Sequence, residues 1–165
     1  MEQFFLLQEM RSRSESGLRY ELQMSDKQTE NLLANHYWSF PVPIAYGPGR
    51  LKTLGQQALD LALTHPLIVT DKGSAALPFI ETLQQAFGSA GIESEVFSEV
   101  SPNPRDSDIA LAREIFRQGG HDSVIAIGGG SGMDAGKATA LTANNDCGVW
   151  QFDFDRDVPA LPAGH

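Results

Sequence analysis

The residues best equipped for chemistry stand in one run, Gly128-Gly129-Gly130-Ser131-Gly132-Met133-Asp134-Ala135-Gly136-Lys137. Val124-Ile125-Ala126-Ile127 just before it reads as a short apolar strand covered on both faces. Ser131 suits the N-cap of a helix that starts after the glycines. Ala135, Gly136, Ala138 and Ala140 let that helix lie close against a sheet. A strand that runs through glycines into a helix start leaves backbone N–H groups unpaired beside the positive end of the helix dipole. Such a turn suits an anion, best a phosphate or pyrophosphate. The plain alternative is a tight turn with nothing bound. Asp134 and Lys137 lie one helical turn apart and project on one face near that anion. A lysine there suits a ribose or phosphate oxygen, and an aspartate suits a ribose or amide donor.

The elements that must position this run can be read along the chain. Val42–Tyr46 forms an edge strand, because Pro41 and Pro43 remove ladder donors. After Gly47-Pro48-Gly49 a helix is expected over about 50–63, with Leu51, Leu54, Ala58 and Leu61 as its buried stripe. Leu67–Thr70 is a second strand with Asp71 at its end. A helix follows from about Gly73, burying Ala76, Ile80, Leu83, Phe87 and Ala90, and Gly91 ends it. The third strand is expected near 93–97, then a stiff Pro102-Asn103-Pro104 loop. The next helix, about 105–118, buries Ile109, Ala112, Ile115 and Phe116 and closes at Gly119-Gly120.

This alternation predicts an α/β fold: a Rossmann-like parallel sheet with right-handed crossovers and helices on both faces. Ligands of such sheets sit outside the carboxyl ends of the strands. Asp71, Asn103 and the Gly128–Ser131 loop all fall at those ends, which points to a nucleotide. Asp71 then accepts from ribose hydroxyls and repels a 2′-phosphate, favouring NAD over NADP; an exposed turn aspartate is the plain reading. Asn103 hydrogen-bonds the adenosine side or is simply a turn residue. The usual Rossmann pattern is altered. No GxGxxG follows the first strand, and the acidic ribose candidate precedes the glycine loop.

Gly128-Gly129-Gly130-Ser131-Gly132-Met133-Asp134-Ala135-Gly136-Lys137 resembles the GGGSxxDxxK signature of the iron-containing (group III) alcohol dehydrogenases. Tyr46–Leu51, Ile68–Gly73 and Val100-Ser101-Pro102-Asn103-Pro104 resemble further segments of that family in the same order. The resemblance runs from about Phe40 to the C-terminus. It implies a dehydroquinate synthase-like N-terminal domain that binds NAD through Asp71, Asn103, Gly128, Gly129, Gly130, Ser131, Asp134 and Lys137. The last two reach toward the nicotinamide half. It further implies an enzyme that moves a hydride between an alcohol and NAD, with a divalent metal, iron or zinc. One Asp and three His of a helical C-terminal domain hold that metal in the family. His36, His65, His121 and His165 match none of those positions, so no metal ligand and no catalytic residue is expected in this chain. His65 and His121 are expected at the surface, and the acidic run Asp153–Asp157 as a solvated loop.

The resemblance does not reach residues 1–38, a mixed-charge stretch expected to be a mobile extension; residues 39–165 form the dinucleotide-binding domain. The family's Thr-rich cofactor loop and its helical domain are expected to be missing, leaving the cofactor half of an alcohol dehydrogenase. Maleylacetate-reductase-like, glycerol dehydrogenase and hydroxyacid–oxoacid transhydrogenase relatives are rivals within the enzyme class. A non-catalytic nucleotide-binding or interaction module is the rival outside it.

Composition sets the outer limits. The chain has 165 residues, 41% hydrophobic and 20% charged, as expected of one soluble domain with a sizeable core. The formal net charge of −9 argues against nucleic acid or an anionic membrane as main partner. Backbone N–H groups still bind an anion without net positive charge. Cys147 is the single cysteine, which excludes an intrachain disulfide and suggests a reducing, cytoplasmic compartment. The apolar Phe4–Leu7 is too short for a signal peptide and has acidic neighbours. A homodimer is a family expectation that no sequence feature here specifies.

Overall fold

The structure, a computed structural model, describes residues 36–40 and 42–153. The expectations for residues 1–35 and for the acidic run beyond Asp153 lie outside the described residues. The chain divides into two compact units, with the boundary between Arg50 and Leu51. In the first, β1 (His36–Phe40) pairs antiparallel with β2 (Val42–Tyr46), and Pro43 stands opposite Ser39. β1 was not legible in the sequence, where five residues with neither alternation nor a turn signal carry no period. β2 belongs to this hairpin and has no place in the parallel sheet.

The second unit holds that sheet. One 3-10 turn, Arg50–Thr53, leads into α1 (Leu54–Asp60), which stops short of the expected end. Leu51 and Ala58 are buried, but Leu61 is exposed because the chain leaves the helix before it, through Ala62 at φ +57°. β3 (Pro66–Asp71) is buried from Pro66 to Thr70, as its continuous apolar run predicts. A turn then delays α2 (Pro78–Ser89), which starts with proline at its first turn. Ala76 therefore sits exposed before the helix, while Ile80, Leu83 and Phe87 are buried on the expected stripe. β4 (Glu95–Val100) begins two residues later than the sequence suggests. α3 (Asp106–Gly119), β5 (Ser123–Ala126) and α4 (Gly130–Ala143) complete the unit.

The strands pair in parallel in the order β4-β3-β5. The chain moves from β3 to β4, then crosses back over β3 to reach β5. Right-handed crossovers in opposite directions put α2 and α3 on opposite faces. Leu67 and Val69 face Phe97, Val100, Ala112, Phe116, Ala135 and Ala143 in one core cluster. Alternation along the strand sends Ile68 and Thr70 to the other face. Arg113 and Arg117 of α3 tie the end of α4 down. Arg117 donates to the carbonyls of Ala143 at 2.8 Å and Asn145 at 2.7 Å, and Arg113 also donates to Asn145. They thereby satisfy carbonyls left open at a helix C-terminus.

The amino-terminal end of the sheet is knotted by Asp122. Its Oδ2 accepts from the Thr64 amide (2.5 Å), the Thr64 hydroxyl (2.8 Å) and the His65 amide (3.0 Å). Its Oδ1 accepts from the Ser123 hydroxyl at 2.8 Å. His121, expected at the surface, is 6% exposed there. Its ring lies 4.2 Å from that of His65 and 6.0 Å from that of Phe116. The Nδ1 atom meets the His65 carbonyl at 3.1 Å, and Nε2 comes within 3.3 Å of Glu95 without hydrogen-bonding geometry. A turn position in the sequence says nothing about the rings that this histidine packs against.

Candidate functional site

The site lies where the strand order reverses, at the carboxyl ends of β3 and β5. Their following helices leave toward opposite faces, which opens a crevice between the two tips. A cleft of about 300 Å³ opens there. Asp71, Lys72, Gly73 and Ser74 line it from the end of β3, Val100 and Pro102 from the end of β4, and Gly129, Gly130 and Ser131 from the start of α4. A larger dent of about 660 Å³ between α1 and α2 is lined by Lys52, Gln56, Leu59, Gln85 and their neighbours. No strand tip reaches it.

The start of α4 is uncapped. Gly129, not Ser131, holds the N-cap position, and no side chain caps the helix. The first intrahelical bond runs from the Met133 amide to the Gly129 carbonyl at 3.0 Å. The amides of Gly130, Ser131 and Gly132 therefore precede any i→i−4 partner. No acidic residue lies in that first turn to offset the helix dipole, whereas α3 has Asp106 and Asp108 in its own. The cause is simple: a glycine in extended conformation can serve as N-cap, and the helix then begins two residues earlier than a Ser131 cap would give.

The glycines of this turn differ from one another. Gly128 has φ +128°, and an added Cβ would stand 3.0 Å from Asp71 Oδ2, 3.1 Å from Ser74 Oγ and 3.3 Å from Thr70 Oγ1. The positive φ strains any side chain there, and the tight contacts add to the preference for glycine. An added Cβ on Gly129 or Gly130 would meet no atom within 4 Å. Among the described residues nothing demands glycine at those two positions, and bare backbone lets a ligand approach the amides closely. Beneath the turn, the Thr70 hydroxyl is fully buried and has no hydrogen-bond partner among the described residues. Bare glycines, free helix amides and an orphaned hydroxyl fit a diphosphate.

Asp71 stands at the end of β3, where the register with β4 shifts between Val69 and Asp71. Irregular pairing of this kind re-aims side chains at sheet rims. Its Oδ1 accepts from the Ser74 amide at 3.0 Å and its Oδ2 from the Ser74 hydroxyl at 2.7 Å. Burial works to raise the carboxyl, but the bonds from Ser74 and the turn amides outweigh it and hold its pKa below the usual value. Asp71 is therefore an anion with lone pairs to spare. Beside it, Lys72 Nζ pairs with Glu99 Oε2 at 2.8 Å. Ser74, Thr70, Lys72 and Glu99 were not singled out from the sequence. The Asp-x-x-Ser spacing, which suits a side-chain-capped turn, is the signal that could have found Ser74.

Asn103 reaches the site through its backbone. At φ +55°, its amide donates to Ser131 Oγ at 3.4 Å, which joins the β4 loop to the α4 turn. Asp108 fixes that loop from behind, its Oδ2 accepting from the Ser101 amide at 3.0 Å and the Arg105 amide at 3.2 Å. These backbone bonds, that from Ser101 first, lower its pKa. Asp134 and Lys137 stay together as expected, 3.3 Å apart, but both are exposed and neither lines the cleft. Among the described residues, no group of three or more His, Cys, Asp or Glu side chains stands ready to hold a metal ion. No helix among them is long and apolar enough to cross a membrane.

Comparison with known proteins gives a consistent set. The sequence pattern of the family described as iron-containing alcohol dehydrogenase matches residues 41–163. A choline dehydrogenase of Bacillus subtilis (strain 168) is 31% identical over 128 residues, covering 75% of this chain and 31% of that protein. The crystal structure of a 1,3-propanediol oxidoreductase superposes with a TM-score of 0.62 at 30% identity, over 64% of this chain and 28% of that one. A sulfoacetaldehyde reductase from Bifidobacterium kashiwanohense, solved in complex with NAD+, gives a TM-score of 0.59 at 31% identity, again over 64% and 28%. The chain thus spans about three tenths of the length of these relatives.

Proposed function

Because this chain belongs to the iron-containing alcohol dehydrogenase family, we propose that it is the cofactor-binding half of an enzyme that moves a hydride between an alcohol and NAD. The observation that carries the reading is the convergence of three strand tips on one cleft: the Asp71 carboxylate, the Asn103 loop and the uncapped start of α4. When bound, the dinucleotide supplies a nicotinamide ring able to accept or give the hydride.

The residues of this chain bind and orient. The amides of Gly130, Ser131 and Gly132 donate to diphosphate oxygens at the positive end of α4. The open faces of Gly129 and Gly130 let those oxygens come close. Asp71 keeps its charge and accepts from the adenosine ribose hydroxyls with the lone pairs Ser74 leaves free. The same charge repels a 2′-phosphate, so NAD is preferred to NADP. Asn103 holds Ser131 in place and lies toward the adenosine side. Asp134 and Lys137, farther along α4, serve the nicotinamide half. The relatives extend well past the matched stretch, and we assign the metal and the alcohol pocket of the whole enzyme to that remainder. The alcohol itself stays general: the matched proteins are named for choline, 1,3-propanediol and sulfoacetaldehyde.

Calorimetric titration of the chain with NAD and NADP tests the proposal. NAD should bind, and more tightly than NADP. Asp71→Gly should narrow the gap between the two. A folded chain that takes up neither cofactor would refute the reading, and an unchanged preference in Asp71→Gly would remove Asp71 from the ribose.

A further inference from the structure

Among the described residues lining the cleft, Lys72 is the cationic one, and it follows Asp71 directly in the chain. Its ammonium does not stand alone, being 2.8 Å from the carboxylate of Glu99 on the neighbouring strand. Resting on the reading that this cleft takes a dinucleotide, we propose that Glu99 is a specificity residue, one that disfavours NADP by holding the Lys72 ammonium away from the 2′-phosphate.

Choice between the two cofactors turns on one group, the ribose 2′-hydroxyl or its phosphate ester. A carboxylate at the ribose accepts from the hydroxyl, and a nearby cation accommodates the phosphate. Asp71 and Lys72 bring one group of each kind to the end of β3, so an unengaged Lys72 would offset part of the NAD preference that Asp71 sets. Lysine is a point charge on a flexible four-carbon stem and can turn toward a phosphate one residue away. Glu99 gives that stem another destination. Both side chains of the pair are more than half exposed, 62% and 57%, so the contact can break and re-form without repacking the core. The hydrogen bond and charge of Glu99 also raise the Lys72 pKa, with a smaller contribution from the Asp108 charge. The amine therefore stays charged, and its position is what matters. A 2′-phosphate entering here meets repulsion from Asp71 and a cation already neutralised by Glu99.

Four forms of the 165-residue chain decide the matter: wild type, Glu99→Gln, Lys72→Met and the double variant. Each is titrated calorimetrically with NAD and with NADP at low salt. Each is also prepared with Asp71→Asn, where the repulsion is relieved and NADP affinity is easiest to measure. Glu99→Gln should raise affinity for NADP relative to NAD about threefold, in keeping with an exposed ion pair, and Lys72→Met should cancel the gain. An unchanged cofactor ratio in Glu99→Gln would overturn the proposal. So would a gain that survives Lys72→Met, because Glu99 would then act by its own charge alone. If folded wild type binds no NAD, the dinucleotide reading falls and this inference with it; the first two outcomes leave NAD binding intact.

Discussion

The parallel sheet carries an aspartate at each end, and the two are used differently. Asp122, at the amino end, accepts four hydrogen bonds from Thr64, His65 and Ser123. A carboxylate offers about four lone-pair sites, so little acceptor capacity is left for a ligand. Asp71, at the carboxyl end, accepts two well-formed bonds from Ser74, with the Asp71 and Gly73 amides contributing more weakly, and lines an open cleft. One glycine from each end repeats the contrast. A Cβ on Gly119 would come within 2.4 Å of the His121 ring, whereas one on Gly130 would meet no atom within 4 Å. Side chains fill the amino end with their own partners, and the carboxyl end keeps donors and acceptors in reserve. What marks a site here is unspent hydrogen-bonding capacity, not the presence of charge.

Substitution at the two glycines should separate the ends most sharply. Gly119→Ala should lower stability by about 1–3 kcal/mol, the usual cost of overpacking, and leave NAD affinity unchanged. Gly130→Ala should do the reverse. Denaturant melts should show no loss of stability, while calorimetry finds NAD binding weakened about tenfold or more as charge-assisted bonds to the phosphate are strained. A destabilised Gly130→Ala with normal affinity would erase the contrast.

Asp122 should matter to the fold alone. Burial pushes its pKa up, but the bonds from Thr64, Ser123 and His65 win and bring it down to about 2. A depressed folded-state pKa adds stability above the unfolded value of 3.8, and that stability disappears as pH falls through about 2. Discounted for the exposure of the residue, the contribution is about 1 kcal/mol. Asp122→Asn should therefore flatten the loss of stability between pH 4 and pH 2 in acid melts, with dinucleotide affinity at neutral pH untouched. A steep acid limb that persists in the variant would place the titrating group elsewhere.

The smallest effect is expected at Asp134, whose exposed pairing with Lys137 is worth no more than about 0.5 kcal/mol. Asp134→Ala should leave thermal stability nearly unchanged. The nicotinamide role proposed for this pair predicts a modest loss of NAD affinity in that variant, read by calorimetry. Unchanged affinity would confine the site to the strand tips.

Much of this contrast was only half visible in the sequence. The buried stripes of α2 and α3 could be read because a helical period repeats over several turns: Ile80, Leu83 and Phe87 in one, Ile109, Ala112 and Phe116 in the other. β3 could be read because Leu67-Ile68-Val69 is apolar on both faces. β1 and the burial of His121 could not, since both depend on partners distant in the chain. Leu61 was misplaced because the helical pattern continues past the point where Ala62 ends the helix. Ser131 looked like the cap because serine usually is one, and Gly129 took the position instead.

The order of the elements and the glycine turn at the start of a helix follow from the sequence by itself, because both depend on residues a few positions apart. Asp71, the Asn103 loop and Ser131 could be named from it in the same way, each at the end of its own strand. Tertiary structure decided that the strands pair as β4-β3-β5, which sets Asp71 against Gly128 and opens the crevice between them. It also decided which aspartate is saturated and which lysine is captured. Parallel strands meet only after a long crossover, so the contacts that distinguish a spent carboxylate from an available one are made between residues that no local pattern connects.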